Sequence, residues 1–188
     1  RVLDLNGGTL RNAIPREAIA HLAVPTEKFA GFKAAVAAFL DTVTFALSAV
    51  EKNIEFVVEA TANDGKVLTK ESQARFLGLL NATPNGVLRM SDDVKGVVET
   101  SLNVGVVTMN ENEAQIICLV RSLIDSGKDY VVSMLTSLGE LAGAKTTPKG
   151  GYPGWKPDPT SPIMAQVREV YQGLFNKTPN IMVIHAGL

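Results

Sequence analysis

The stretch Val97-Val98-Glu99-Thr100-Ser101-Leu102-Asn103-Val104-Gly105-Val106-Val107 decides how this chain folds. Val98, Thr100, Leu102, Val104 and Val106 alternate with Glu99, Ser101, Asn103 and Gly105. That period of two is the pattern of a half-buried strand. Asn110-Glu111-Asn112 supplies a hairpin connection, and Glu113 through Ile124 returns as a second long strand.

Upstream of this hairpin, Arg1 to Asn6 alternates like a strand and runs into Gly7-Gly8. Pro15 cannot donate to a ladder, which places it at a bend or sheet edge. Glu17 to Val24 reads as another short strand, closed by Pro25. Thr26 is an expected N-cap for a long helix striped by Phe29, Phe32, Val36, Phe39, Leu40, Val43, Leu47 and Val50. Extension through Ile54 and Val57 to about Ala60 would make that helix roughly 50 Å long. Asn63-Asp64-Gly65 breaks it, Lys70 to Leu80 is a shorter helix, and Asn81 to Gly86 is a turn cluster.

Downstream, Ser126 with Asp129 three residues on is a capping-box variant. It predicts a helix with Tyr130, Val131, Met134, Leu135, Leu138 and Leu141 inward, stopping near Gly143. Lys145 to Asp158 is dense in proline and glycine and marks a domain boundary. Ser161-Pro162 opens a helix to Phe175, inward at Val167, Val170, Tyr171 and Leu174, and Ile181 to Leu188 reads as a final strand. The fold class is α+β: an antiparallel sheet flanked by helices, followed by a helix–strand piece.

Composition narrows the functional classes. Among 188 residues, 46% are hydrophobic, and 18 basic side chains face 19 acidic ones, for a net charge of −1. That balance argues against nucleic-acid or anionic-membrane partners. The single cysteine excludes an internal disulfide framework and a cysteine-rich zinc module. No apolar run approaches the roughly 20 residues of a membrane span, so a soluble, cytoplasmic protein is expected. Arg1 leads directly into a strand pattern and Leu188 ends one, which predicts a segment cut from a longer protein.

Few side chains carry obvious chemistry. His21 lies on a strand face with Ile19 and Ala23 and reads as a hydrogen-bonded structural histidine. Cys118, mid-strand among apolar residues, reads as a small hydrophobe. Zinc needs three or four preorganised ligands, and no set of them shows the required spacing. Neither Gly7-Gly8 nor Gly150-Gly151 has the strand–loop–helix context of a nucleotide site. Arg121 is different, because a charge within Ile116 to Ile124 is costly unless it is paired or meets an anion. Its donor fork suits a carboxylate, and an ion pair with Asp125 or Glu99 is the alternative. Asn12, before Ala13-Ile14-Pro15, can hold a turn or offer its amide to a ligand carbonyl.

Several segments together resemble the zinc aminoacyl-histidine dipeptidases, bacterial carnosinase-like metallopeptidases. These are Asn6 through Ala18, Leu80 through Val87, Val97 through Val107, Leu119 through Lys128, Tyr152 through Pro157, and Thr178 through Leu188. The resemblance implies a substrate-clamping, dimerising lid over residues 1–147. Residues 148–188 would be a linker plus a helix–strand segment of the catalytic domain. It implies that Asn12 and Arg121 bind a dipeptide, the arginine through the terminal carboxylate, and that His185 and Gly187 line the site. Two zinc ions serve such enzymes, but their ligand motifs are absent here, so no residue of this chain is expected to be catalytic or to bind metal. The expected partners are a dipeptide, the rest of the catalytic domain and a second copy, with no nucleic acid and no membrane. A dimerisation or interaction module without catalysis of its own is the competing reading.

Overall fold

The computed structural model describes residues 1–62 and 65–183. Strands β1 (Val2–Gly7), β2 (Ala18–Leu22), β3 (Gly86–Met90), β4 (Val98–Met109) and β5 (Ala114–Ser122) form one antiparallel sheet. Helices α1 (Phe29–Leu47), α2 (Lys70–Ala82), α3 (Asp125–Leu141) and α4 (Pro162–Phe175) complete the α+β fold.

Strand β4 is the centre. One edge pairs with β5 from Thr100↔Ser122 to Met109↔Ala114. The other edge is divided: β3 covers Val98 to Leu102, and β1 meets it at Gly7↔Val107. The turn between β4 and β5 closes as expected, with the Asn110 side-chain oxygen accepting from the N–H groups of Asn112 and Glu113 at 2.8 and 3.0 Å.

The alternation holds over Thr100 and Leu102, which are buried. It then slips, because the register with β5 shifts between Val104 and Val106. One extra residue in a strand exchanges its faces. Val107 and Met109 therefore take core positions expected for Val104 and Val106, which are half-buried instead.

Helix α3 covers the core face. Val131 is 1% exposed and Leu102 beneath the helix layer is 2% exposed. Gly127 brings the helix directly over the Thr100–Ser122 hydroxyl pair, whose oxygens lie 2.9 Å apart. The capping-box reading is corrected: α3 begins at Asp125, its N-cap is Ile124, and no side chain caps it. Tyr130 and Leu141, expected inward, are 71% and 85% exposed, since the covered stripe runs through Val131, Leu138 and Gly139.

The long helix is shorter than its pattern. A single 3-10 turn (Thr26–Lys28) precedes α1, and Thr26 caps nothing. The helix stops at Leu47, where the Ser48 hydroxyl donates to the Phe45 carbonyl at 2.9 Å and competes for the backbone. Residues 52–62 form no helix, although Phe56 folds back to within 5.9 Å of the Phe39 ring. Thr26–Leu47 nonetheless has the length and a mean hydropathy of 1.4 that would suffice to cross a membrane, so the expectation of no such segment is corrected on that criterion. None of it is buried.

Strand β3 begins at the last residue of the Asn81 to Gly86 cluster and continues where no element was expected; its five residues are all exposed. Helix α2 is capped by Thr69, whose hydroxyl oxygen accepts from the Ser72 N–H at 3.0 Å. Helix α4 begins at Pro162 as its sequence predicts, and its Val167, Val170, Tyr171 and Leu174 stripe is exposed. Residues 181–183 form no strand, and 184–188 lie outside the described residues.

A Cβ added at Gly127 would sit 2.6 Å from Ser122 Oγ and 2.7 Å from Thr100 Oγ1. Gly127→Ala should therefore destabilise the fold by about 1–3 kcal/mol despite alanine's better helix propensity, measured as a lowered denaturation midpoint.

Candidate substrate-binding edge

The division of β4's outer edge leaves a gap between β3 and β1. Side chains and a loop fill it. The Val104 N–H, which no strand covers, donates to Asn85 Oδ1 at 2.8 Å. Beyond the β1 contact, outside the gap, the Met109 N–H likewise donates to Asn6 Oδ1 at 2.9 Å. Such borrowed acceptors spare backbone donors the cost of going unpaired.

The loop from Gly8 to Glu17 lies over the middle of the gap. Gly8 has φ +69°, a conformation glycine adopts readily, and a Cβ there would stand 2.0 Å from the Gly105 carbonyl oxygen. A Cβ on Gly105 would meet Arg11 Cα at 2.5 Å. Two glycines thus let backbone pack on backbone, with the Gly8 N–H donating to the Glu17 carbonyl at 3.2 Å and closing the loop's base.

Asn12 sits at the exposed turn of this loop. The carbonyls on either side of it, Arg11 and Ala13, both accept from Asn103 Nδ2 at 2.8 Å. Two carbonyl acceptors fix which end of the Asn103 amide points at the loop. Asn103 and Ser101 share one face of β4, opposite the face that carries Thr100 and Leu102. Arg121 is directly across from Ser101 and therefore diagonal to Asn103, a spacing of about 7–8 Å in an antiparallel pair. Arg121 is half-buried. The face of the hairpin away from α3 thus carries Arg121 and the anchor of the Asn12 loop together. His185 and Gly187, the other expected site residues, lie outside the described residues.

The two acidic residues that stand as ion-pair alternatives for Arg121 each hold at least one other basic group. Glu99, diagonal to Arg121 on the other side and buried, has its carboxylate 3.3 Å from Arg89 Nη1. Asp125 accepts from the Gly154 backbone N–H and from Lys128 Nζ, each at 3.1 Å. These bonds, the backbone one first, hold the Asp125 carboxyl below the ordinary aspartate range. They also fasten the glycine–proline linker to the start of α3, and Lys156 Nζ adds a contact to Asp93 at 2.9 Å.

His21 is structural, as expected: its Nδ1 lies 3.0 Å from both carboxylate oxygens of Asp4 across β1 and β2. Cys118 is half-buried, and burial pushes its thiol up in pKa, away from nucleophilic use. Among the described residues no three His, Cys, Asp or Glu side chains come together to hold a metal ion, so the residues present do not fit zinc. The anchoring asparagines were missed in the sequence. Asn103 carried a signal, as a long amide on the polar side of a strongly alternating strand; Asn6 and Asn85 carried only their place in turns.

No family model matches the chain. The cytosol non-specific dipeptidase of Escherichia coli (strain K12) is 61% identical over 188 residues, which is 100% of this chain and 39% of that protein. The crystal structure of aminoacylhistidine dipeptidase from Vibrio alginolyticus superposes with a TM-score of 0.97 at 50% identity, covering 100% of this chain and 38% of that one. The resemblance to the dipeptidases holds along the whole chain. The chain spans about two fifths of the length of these dipeptidase relatives.

Removing the Asp125 anchor should loosen the linker. Asp125→Ala is expected to speed tryptic cleavage after Lys149 severalfold at pH 7. Because the folded carboxyl is held low, the unsubstituted linker should keep its protection above the unfolded aspartate value near 3.9. It should lose that protection only as pH falls through the lower folded value. An acid-stable protease active at low pH checks the second half.

Proposed function

We propose that this chain is the substrate-clamping lid, over residues 1–147, and an adjoining piece of the catalytic domain, over 148–188, of a zinc-dependent dipeptidase that hydrolyses Xaa-His-type dipeptides. The observation that carries the reading is the placement of Arg121 diagonal to Asn103, which anchors the Asn12 loop on the same open face of the β4–β5 hairpin. The two relatives, one named a non-specific dipeptidase and one an aminoacylhistidine dipeptidase, support the reaction class.

In this reading the Arg121 guanidinium takes the dipeptide's terminal carboxylate through paired N–H donors. The Asn12 amide donates to the scissile carbonyl, where negative charge grows as the bond is attacked. Both groups also orient the dipeptide, and closing the lid over it excludes water. Zinc, if bound in the complete enzyme, would supply hydrolytic chemistry by activating water. Its ligands belong to the remainder of the protein, and the residues of this chain bind and orient only. His185 and Gly187 would line the same site from the catalytic side. The word "cytosol" in one relative's name supports a cytoplasmic location.

Arg121→Ala in the full-length protein is the test. Loss of charge-assisted hydrogen bonds worth about 1.5–3 kcal/mol should lower kcat/KM for free dipeptides by about 10- to 150-fold, mainly through KM. Dipeptides amidated at the C-terminus should lose little further. Unchanged kinetics on free dipeptides would remove Arg121 from the site.

A second role is favoured by the uncovered apolar side chains of α1. Phe39 and Phe45 are exposed, and no residue of that helix is buried. We propose that this helix pairs with a second copy across a two-fold axis, which is also how the chain would act as an interaction module without catalysis. Sedimentation of the full-length protein should give a dimer, and Phe39→Lys combined with Phe45→Lys should give a monomer with secondary structure intact.

A further inference from the structure

We propose that Asn103 is a positioning residue for the reaction: its side-chain amide sets the Asn12 loop at the height and orientation the substrate carbonyl requires. The inference rests on the reading of Asn12 as a substrate-binding residue and adds to it the group that holds Asn12 in place.

The geometry is specific. Both hydrogens of Asn103 Nδ2 are directed at the loop, one to the Arg11 carbonyl and one to the Ala13 carbonyl, each at 2.8 Å. These carbonyls belong to the residues on either side of Asn12, so the chain is clamped to the central strand both before and after it. The bond spans 92 and 90 residues of sequence, making it a tertiary fastening rather than a feature of the turn itself. The loop's own bonds are weaker constraints: Ala13 N–H to the Leu10 carbonyl at 3.2 Å and the base closure at Gly8. Asn12 is exposed, and among the described residues its side chain makes no hydrogen bond, so its placement follows the backbone that carries it. Gly105 beneath Arg11 sets how close the loop can approach, and Asn103 sets where along the strand it stops.

A shared strand also couples the two substrate contacts. Asn103 stands two residues from Ser101, the register partner of Arg121. The distance between the amide at the scissile bond and the guanidinium at the carboxylate is therefore fixed by one stretch of β4. Positioning of this kind acts on the transition state, and a displacement of about 1 Å can cost 100-fold.

A double-mutant cycle in the full-length protein tests this, using Asn12→Ala, Asn103→Asp and both together, with kcat and KM measured on a free dipeptide. Aspartate keeps the shape of asparagine but sets carboxylate oxygens against two carbonyls. Asn103→Asp alone should lower kcat about 10- to 100-fold with KM changed less than threefold. In the Asn12→Ala background it should lower kcat less than twofold, the mark of two residues acting as one unit. Asn103→Ser, which keeps one donor, should fall between the two and provides the cycle if the aspartate variant does not fold. Equal losses in both backgrounds would mean a general structural effect and overturn the proposal, as would unchanged kcat in Asn103→Asp. Full activity in Asn12→Ala would bring down the substrate-site reading itself, and the positioning role with it.

Discussion

The rest of the structure depends on the fact that β4 is longer than either neighbour on its outer edge. Twelve residues of backbone present donors and acceptors there, β3 reaches only as far as Leu102, and β1 meets it at Val107. The unpaired interval has to be satisfied by something other than a strand. Asn85 supplies a side-chain oxygen to Val104 within it, the Gly8 to Glu17 loop lies across it, and Asn6 does the same for Met109 beyond the β1 contact. The loop that carries Asn12 is therefore held at the sheet by the same demand for hydrogen bonds that holds the strands together.

That arrangement divides the hairpin's faces between two tasks. One face meets α3 through Thr100, Leu102 and Val131, the most deeply buried side chains among the described residues. The other keeps Ser101, Asn103 and Arg121 half-open. The bulge at Gly105 lets one strand serve both, because Val107 and Met109 regain the core face after the loop has been accommodated. A strand without the extra residue would carry Asn103 and its anchor but would turn Val107 and Met109 away from the core.

Much of this fold is legible in local pattern. The alternation from Val98 and the Asn110 turn announce the hairpin, and Ser161-Pro162 announces α4. What pattern misses has physical causes. The apolar stripe of α1 continues to Val57 in the sequence, yet Ser48 offers its hydroxyl to the backbone and the helix ends. Tyr130 and Leu141 fit the helical period of α3 but fall outside the stripe that the sheet covers. Arg121 stood out as a charge in an apolar strand, and Asn12 through its motif. The clasp of Asn103 on the Asn12 loop could not be seen, since it joins residues about 90 positions apart and depends on the register of a strand that neither residue's neighbours reveal.

The bond from the Gly154 N–H to Asp125 joins residues 29 positions apart, and a Cβ on Gly154 would meet the Leu123 carbonyl oxygen at 2.6 Å. Helix α3 and the first half of the glycine–proline stretch are thereby closed into a ring at the end of β5. Gly154 is packed against Leu123, two residues along the chain from Arg121. Lys156, tied to Asp93, extends the fastening by two residues, so the chain leaving the hairpin is held close to Arg121 and not on a slack tether.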